Sequence, residues 1–278
     1  MTVETDFSYL KSLASRPEDT AKLDDIAEDR RRIRFEDAII SDTRFMDIRL
    51  GGLTFHLRRD LAPGSVDSYI EIFRDKAHMK LPEFYPENNR SVIDAGANEG
   101  FYALYMKSRN PNIRIICAEP VPAVYDILTR NIQANGYSGI QTVKAALSHQ
   151  NGTGVWETYP HVSSVSAEDL SRIRQPWIKR DRIRSVPVRK ITLETLFQNQ
   201  NLDDADLLKI DTEGSEAQVL MGSESMLKRI RKIVVEWHTP ELREQCTRIL
   251  QNHDFKLIHQ ERRRPGDSYF INSAHPSG

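Results

Sequence analysis

The sequence has little cysteine, no long apolar run and almost no net charge. Its two cysteines, Cys117 and Cys246, lie far apart and belong to no Cys-x-x-Cys pair, which disfavours a zinc site or a disulfide framework. This composition fits a reducing, cytoplasmic compartment. The net charge of -1 at pH 7 gives no overall attraction to nucleic acid or to a membrane surface.

Membrane insertion and secretion signals are also missing from the sequence. A membrane span needs about 20 predominantly apolar residues, and we find no such stretch. The segment MTVETDFSYLKSL has no basic region followed by an apolar one, so we expect no signal peptide. With 278 residues, the chain has the length of one α/β domain with additional elements.

The first part of the chain predicts a helix followed by a β-hairpin. Residues 19–40 are highly charged, and their apolar residues recur at helical spacing, which predicts an amphipathic helix. In FMDIRLGGLTFHLR, apolar and polar residues alternate on both sides of Gly51 and Gly52, a pattern typical of a hairpin. We therefore treat residues 1–64 as an extension and residues 65–278 as the main domain.

Beyond this extension, strands alternate with helices. A helix is predicted at 66–79, and five apolar strands follow it: SVIDAG, IRIICAEP, IQTVKAALS, ADLLKID and IRKIVVEWH. Two further strands, FKLIHQ and DSYFINS, end the pattern. Such alternation predicts an α/β fold with a mostly parallel sheet covered on both faces. Ligands of these folds bind at the carboxyl ends of the strands. The residues at those ends are Asp94, Glu119, Ala145, Ala146, Asp211, Glu236 and His238.

The stretch SVIDAGANEGFYALYMK reads as a strand, a turn with Gly96 and Gly100, and a helix. A dinucleotide-binding turn needs glycine where this chain has Asn98 and Phe101, so that class is disfavoured. A phosphate-binding P-loop fails as well, because no lysine followed by serine or threonine is present in the turn. Asp94 at the entrance would repel a phosphate, and it suits a ligand with a cationic end.

Glu119 closes the second strand of this unit. A carboxylate at that position typically accepts hydrogen bonds from both hydroxyls of a ribose. A cofactor that carries a ribose and a positive charge but no phosphate is S-adenosylmethionine. The alternative for the two glycines is an ordinary tight turn without a ligand.

Three stretches resemble the FkbM family of class I S-adenosylmethionine-dependent methyltransferases. They are VIDAGANEGFYAL, AEPVPAVYDILTRNIQANG and LLKIDTEGSEAQVLMGSESML, the last followed by IVVEWH, and the resemblance covers roughly residues 65–260. The family more often has valine where this chain has Ala95 and Thr212. The resemblance implies a Rossmann-like sandwich with a mostly parallel seven-stranded sheet and an antiparallel C-terminal strand.

The resemblance also implies a cofactor site. Gly96 and Gly100 would let the backbone approach the methionine and adenosine parts of the cofactor. Asn98 would bind the amino-acid end, Glu119 the ribose and Pro120 the adenine. The full set of predicted cofactor-binding residues is Asp94, Gly96, Asn98, Gly100, Phe101, Glu119, Pro120, Ala145 and Ala146.

Four ionisable residues converge where a methyl acceptor would sit: Asp211, Glu213, Glu236 and His238. Methyl transfer to a hydroxyl needs a base, and a histidine titrates near neutrality. We therefore predict His238 as the base, oriented by Asp211, Glu213 or Glu236. The alternatives are a merely hydrogen-bonded histidine at a strand end and, for Glu213, a carboxylate that interacts with a helix dipole.

A divalent metal is the second mechanism to consider. Carboxylates at the ends of the fourth and fifth strands can hold Mg²⁺, which would bind the acceptor hydroxyl and lower its pKa. His238 in the same set argues against this ion, because Mg²⁺ prefers oxygen ligands. We therefore predict catalysis without a metal and keep the metal as the alternative.

Residues 172–190 form a basic insertion between the third and fourth strands. It contains Trp177 and the cations Arg172, Arg174, Lys179, Arg180, Arg182, Arg184, Arg189 and Lys190. Two interpretations stay open: a solvated flap, and a mobile lid that closes over an anionic acceptor. Trp156, Tyr159 and His161 are candidates for the acceptor pocket. Nucleic acid is disfavoured as a partner, because the chain as a whole is not basic.

The sequence thus predicts a methyltransferase that acts on a hydroxyl of a small-molecule, sugar or lipid-linked acceptor. N-methylation of an amine or guanidine is the alternative reaction. A scaffold that binds the cofactor without catalysis is a third reading, but burying several charged groups without a use is costly. A nicotinamide-dependent dehydrogenase is disfavoured by Asn98 and Phe101.

Overall fold

The structure is a computed structural model that describes residues 3–36, 39–159 and 182–274. Its strands in chain order are β1 (Phe45–Leu50), β2 (Leu53–Arg58), β3 (Ser91–Ala95), β4 (Arg114–Ala118), β5 (Ile140–Val143), β6 (Ala146–Leu147), β7 (Gly152–Thr158), β8 (Arg184–Ile191), β9 (Ala205–Ile210), β10 (Ile230–Trp237), β11 (Phe255–Gln260) and β12 (Gly266–Asn272). The helices are α1 (Val3–Leu13), α2 (Pro17–Glu36), α3 (Ala62–Tyr69), α4 (Phe101–Arg109), α5 (Pro122–Asn135), α6 (Leu193–Asn199), α7 (Glu216–Met221), α8 (Glu224–Leu227) and α9 (Pro240–Gln251).

The main sheet has seven strands in the order β11-β12-β10-β9-β3-β4-β5. Strands β5, β4, β3, β9 and β10 run parallel, and β12 is antiparallel to β10. The predicted seven-stranded, mostly parallel sheet with an antiparallel C-terminal strand is therefore confirmed. Because the carboxyl ends of the parallel strands lie at one edge, the predicted strand-end residues gather there.

Apolar side chains on the two faces of the sheet form two separate cores. Val92 and Leu207 belong to one apolar cluster, whereas their neighbours Ile93 and Leu208 belong to the other. This alternation follows from the two-residue period of a strand. It explains why the strands read as continuous apolar runs in the sequence.

The N-terminal extension holds two helices where the sequence pattern predicted one. Helix α1 ends at Leu13, and α2 begins at Pro17, because proline cannot continue a preceding helix but fits the first turn of a new one. The hairpin β1–β2 is confirmed, with Leu50 opposite Leu53 across the glycine turn. The predicted boundary at residue 64 falls inside α3, and the division into an extension and a main domain stays a prediction.

Three further segments differ from the predicted elements. The helix predicted to reach residue 79 passes from α3 into a π-helical turn, Ile70–Arg74, and ends there. The third strand is split into β5 in the main sheet and β6 in a second sheet, ordered β6-β8-β7. Residues 184–190, predicted as part of a mobile lid, form most of strand β8, so that part of the prediction is wrong. Residues 172–181 lie outside the described ranges.

No helix within the described ranges has the length and apolar character needed to cross a membrane.

Candidate active site

The turn after β3 is shaped by two glycines in left-handed backbone conformations. Gly96 has φ 80° and Gly100 has φ 88°. A Cβ on Gly96 would lie 1.7 Å from the carbonyl oxygen of Asp211, and one on Gly100 would lie 2.7 Å from the Cδ1 atom of Leu128. Both glycines therefore leave room for neighbouring protein atoms, and their predicted role toward the cofactor stays a prediction.

Asp94 on β3 forms a buried ion pair with Lys209 on β9. The two residues are direct partners in the register of the sheet, and Lys209 Nζ lies 3.0 Å from Asp94 Oδ1. Lys209 also donates a hydrogen bond to the carbonyl oxygen of Gly96. The charge of Asp94 is therefore matched inside the protein, which weakens the argument that it serves a cationic cofactor. Our sequence analysis missed Lys209, although a lysine in an apolar strand is a sign of a buried partner.

Glu119 holds the turn after β3 to the start of α5. Its carboxylate accepts hydrogen bonds from the backbone N–H groups of Asn98, at 3.1 Å, and Val121, at 2.8 Å. Burial raises the pKa of Glu119 to about 8, although the two N–H groups act in the opposite direction. A carboxylate has about four acceptor positions, so this group keeps capacity for ribose hydroxyls. The side-chain oxygen of Asn98 is buried and has no partner among the described residues.

The remaining predicted cofactor residues fall in different surroundings. Pro120 and Ala145 are buried, the former beside Glu119 and the latter between β5 and β6. Ala146 begins β6. The ring of Phe101 packs 5.2 Å from the ring of Phe55 in the hairpin core. The Phe101 side chain thus belongs to the core, and the cofactor role of this residue stays a prediction.

His238 directly follows β10 and lies beside two of the predicted carboxylates. Its Nε2 atom is 3.2 Å from Glu213 Oε2 and 3.6 Å from Glu236 Oε2. Glu213 has φ 50°, an uncommon conformation for a residue other than glycine, and Gly214 follows it in the turn after β9. Such strained positions cluster at functional sites.

The carboxylate that orients His238 is Glu216, which our sequence analysis missed. Glu216 is fully buried in the first turn of α7, and its Oε1 atom lies 3.2 Å from Nδ1 of His238. The same oxygen accepts hydrogen bonds from the N–H groups of Thr212 and Gly214. None of the three predicted orienting residues contacts Nδ1. In the sequence, the only sign of Glu216 is that it is the second glutamate of IDTEGSE.

These contacts set the protonation state of the histidine. Burial alone would lower the pKa of His238, but hydrogen bonds to Glu213 and Glu216 raise it well above its ordinary value. The histidine is therefore held as an imidazolium between two carboxylates. To act as a base, it must first lose this proton.

Asp211 and Glu236 favour different protonation states: the pKa of Asp211 is lowered, and that of Glu236 is raised. Burial would raise the pKa of Asp211, but the positive charges of Lys209, His78 and His238 lower it to about 2. Burial and the Asp211 charge raise the pKa of Glu236 well above its ordinary value. Both shifts favour a neutral Glu236 beside an ionised Asp211, and in this form Glu236 is a hydrogen-bond donor to the Asp211 carboxylate.

One oxygen or nitrogen from each of Asp211, Glu213 and His238 lies within 4.8 Å of the others, a spacing that can hold a metal ion. However, Lys209 Nζ lies 3.4 Å from Asp211 Oδ2 and already places a positive charge beside this set. The prediction of catalysis without a metal therefore stays a prediction, with the metal as its alternative.

The predicted acceptor pocket is only partly described. Trp156 and Tyr159 are buried, and Trp156 packs with Val121, Val124 and Val188 beside the start of α5. His161, Trp177 and the cations Arg172, Arg174, Lys179 and Arg180 lie outside the described residues. The expectation of an anionic acceptor rested mainly on these cations, and it stays a prediction.

The sheet order, the glycine turn and the acidic end of β4 together define a class I S-adenosylmethionine-dependent methyltransferase. Residues 94–264 match the sequence profile named Methyltransferase FkbM domain, and the chain belongs to this family. It is 30% identical over 215 residues to methyltransferase sdnD of Sordaria araneosa, a match that covers 68% of this chain and 81% of that protein.

Two other relatives carry more specific names. The chain is 25% identical to the 2-O-methyltransferase NoeI of Sinorhizobium fredii, with 61% of this chain and 72% of that protein covered. It is 24% identical to the 31-O-demethyl-FK506 methyltransferase FkbM of Streptomyces tacrolimicus, with 69% of this chain and 82% of that protein covered.

Proposed function

We propose that this enzyme transfers the methyl group of S-adenosylmethionine to a hydroxyl group of a small-molecule, sugar or lipid-linked acceptor. The observation that carries the proposal is His238, held by Glu216 on one ring nitrogen and facing Glu213 and Glu236 with the other. The names of the relatives NoeI and FkbM, which both refer to O-methylation, support a hydroxyl as the acceptor.

The cofactor would be held at the carboxyl ends of β3, β4 and β5. Glu119 would accept hydrogen bonds from the ribose hydroxyls, and the unpartnered side-chain oxygen of Asn98 would accept one from the amino-acid end. Pro120, Ala145 and Ala146 would surround the adenine. When bound, the cofactor supplies an electrophilic methyl group on a sulfonium, and the protein supplies its position relative to the acceptor.

The proton of the acceptor hydroxyl passes to His238. Glu216 fixes the ring through Nδ1, so Nε2 is the nitrogen that faces the acceptor. The hydroxyl would take the place that Glu213 occupies beside Nε2, and the neutral imidazole would accept its proton as the acceptor oxygen takes the methyl group from sulfur. The products would be the methyl ether, S-adenosylhomocysteine and a protonated His238.

A second candidate is N-methylation of an amine. Asp211 and Glu213 are partly exposed carboxylates beside the histidine, and they would attract a cationic nitrogen group. An amine acceptor must lose a proton before it attacks, and the same base can take it.

The test uses the purified chain, isotopically labelled S-adenosylmethionine and a panel of sugars, polyketides and amines. Mass spectrometry of the product identifies the methylated atom. We expect His238→Ala to reduce turnover about 10²–10⁴-fold with nearly unchanged cofactor affinity. His259→Ala removes an exposed histidine on β11 and serves as the control. Product methylated on nitrogen, or full turnover by His238→Ala, would contradict the proposal. Inactivation by EDTA that Mg²⁺ or Mn²⁺ reverses would favour the metal mechanism.

A further inference from the structure

A second histidine, His78, lies beside the candidate site but outside the set that the proposed mechanism uses. It is only 2% exposed and follows the π-helical turn Ile70–Arg74. Its ring Nδ1 atom lies 2.9 Å from Asp267 Oδ1, and its backbone N–H donates to Asp267 Oδ2 at 2.8 Å. The hydroxyl of Tyr269 donates to the same carboxylate at 2.9 Å. Asp267 thus fixes both the backbone and the ring of His78.

The backbone at this position is strained. His78 has φ 63°, and Lys76, two residues earlier, has φ 56°. Residues other than glycine adopt this region infrequently because their Cβ atoms crowd the backbone. Such conformations persist where surrounding contacts enforce them, and they cluster at functional sites. Here the enforcing contacts are those to Asp267, a residue of the antiparallel strand β12.

With Nδ1 bound to Asp267, the opposite ring nitrogen of His78 points toward Asp211. Nε2 lies 3.7 Å from Asp211 Oδ2, and Lys209 Nζ lies 3.4 Å from the same oxygen. One oxygen of Asp211 is therefore held between two cationic groups that come from different parts of the chain. Glu236 is a further hydrogen-bond partner of this carboxylate, and 22% of the Asp211 side chain stays exposed on the side of the candidate site.

We propose that His78 is a positioning residue that, with Lys209, fixes the partly exposed Asp211 carboxylate so that it receives a hydrogen bond from the methyl acceptor. An ionised carboxylate has about four acceptor positions, so it keeps capacity for such a donor. Ligand atoms of Asp211, Glu213 and His238 lie within 4.8 Å of one another, where the proposed acceptor would bind. The inference rests on the proposed function, because it places the acceptor beside His238.

Two substitutions at His78 distinguish its contact with Asp267 from its contact with Asp211. His78→Asn retains a donor at the position of Nδ1 and tolerates the left-handed backbone, but it has no group that reaches Asp211. His78→Gln places a donor near the position of Nε2 and so conserves the contact with Asp211. His259→Asn, on the exposed part of β11, is the matched control.

The expected result is a specific loss of acceptor use. His78→Asn should keep the melting temperature and the affinity for S-adenosylmethionine, while kcat/KM for the acceptor falls by up to about 10²-fold, mainly through KM. His78→Gln should recover most of this loss. Asp211→Asn should show the same defect, and the double variant His78→Asn with Asp211→Asn should be no worse than Asp211→Asn alone, because both changes act on one contact.

Other results would overturn the inference. Normal kcat and KM in a well-folded His78→Asn variant would exclude the positioning role. Independent, multiplicative losses in the double variant would show that His78 does not act through Asp211. A methyl group found on nitrogen would contradict the proposed hydroxyl acceptor, but the KM comparison would still test His78 with that acceptor. The two failures are therefore distinguishable.

Discussion

At the scale of single residues, the pairing of His238 with two carboxylates has a direct consequence for the pH dependence of catalysis. The pKa of His238 is raised well above its ordinary value, and a base must be neutral to accept a proton. We expect kcat/KM to rise with pH through an apparent pKa above 6.5, the ordinary value for histidine. Glu216→Gln removes one of the two negative charges, so this acidic limb should move to lower pH.

The pH–rate profiles of the wild type and Glu216→Gln, measured under subsaturating acceptor, check this expectation. Identical limbs in both proteins would show that Glu216 does not act on the ionisation of His238. The free energy of unfolding and kcat/KM should respond to pH in opposite directions. A raised pKa means that charged His238 stabilises the fold below the unfolded pKa, and this contribution is lost as pH rises through the folded pKa.

Gly96 gives a second residue-scale prediction. Alanine there would meet the Asp211 carbonyl oxygen at 1.7 Å, whereas alanine at Gly52, with a similar φ of 84°, would meet nothing within 4 Å. Gly52→Ala should cost only the left-handed strain of about 1–2 kcal/mol. Gly96→Ala should cost roughly 1–3 kcal/mol more, because the contact forces backbone to shift. Urea unfolding of both variants measures the difference, and equal losses would contradict the steric account.

At the residue scale, the turn after β3 was predictable from a local pattern, whereas contacts that depend on packing were not. Asp94, Gly96 and Gly100 lie within seven residues of one another, so the turn could be inferred directly. His78 reaches Asp211 only because β12 carries Asp267 to the same place. No local spacing connects these three residues, so their contact could not be inferred from the sequence.

At the scale of elements, the hairpin is tied to the cofactor turn through helix α5. Asn131 on α5 accepts a hydrogen bond from the N–H of His56 on β2 and donates one to the carbonyl oxygen of Glu99, next to Gly100. Asn131→Ala should destabilise the fold by about 1–3 kcal/mol for each buried group left unsatisfied. It should also weaken cofactor binding, because the turn loses this support.

Gln133→Ala is the control for this variant, since Gln133 is exposed on the same helix. Its effect should stay within about 0.5 kcal/mol, as for most surface substitutions. Thermal unfolding and calorimetric titration with S-adenosylhomocysteine measure both quantities. If Asn131→Ala and Gln133→Ala behave alike, the hairpin is not coupled to the turn through Asn131.

Strand β8 offers an element-scale test of the segment that the sequence pattern assigned to a lid. Residues 184–190 of this strand pair with β7, and Lys190 and Ile191 pair with β6. Hydrogen exchange followed by mass spectrometry should therefore show protected amides over 184–191, increasing toward Ile191. Exchange of this peptide at the rate of an unstructured chain would restore the lid interpretation. Charge composition misled the prediction here, because cationic side chains also occur on exposed strands.

At the scale of the whole molecule, the fold was predictable because the central strands of the main sheet have the composition of strands that are covered on both faces. Continuous apolar runs such as IICA in β4 and IVV in β10 are typical of a parallel sheet with helices on both sides. The second small sheet was not predictable in the same way. Its strands β6, β7 and β8 come from short, mixed-polarity segments, and their pairing joins residues far apart in the chain.

Cofactor binding should stabilise the entire fold, because the proposed site joins the turn after β3, the start of α5 and the residues that follow β5. A ligand that binds only the folded state at 100 times its dissociation constant adds about 2.7 kcal/mol of stability. We expect S-adenosylmethionine and S-adenosylhomocysteine to raise the melting temperature in a concentration-dependent way. NAD should have no comparable effect, because the turn lacks the glycines at Asn98 and Phe101 that dinucleotides need.

The variant Glu119→Gln tests whether the stabilisation by the cofactor depends on the residue at the end of β4. The amide conserves the size of the side chain but replaces one acceptor oxygen with a donor, so hydrogen bonds to ribose hydroxyls and to the Asn98 N–H compete for fewer acceptor positions. Loss of an acceptor for the buried ribose hydroxyls should weaken cofactor binding by about 1–3 kcal/mol and shrink the thermal shift accordingly. Glu244→Gln, on the exposed surface of α9, should retain the full shift. Calorimetric titration of the wild type and both variants distinguishes the outcomes. Wild-type affinity in a folded Glu119→Gln protein would show that Glu119 does not bind the ribose. If neither the wild type nor any variant binds the cofactor, the proposed cofactor site is wrong.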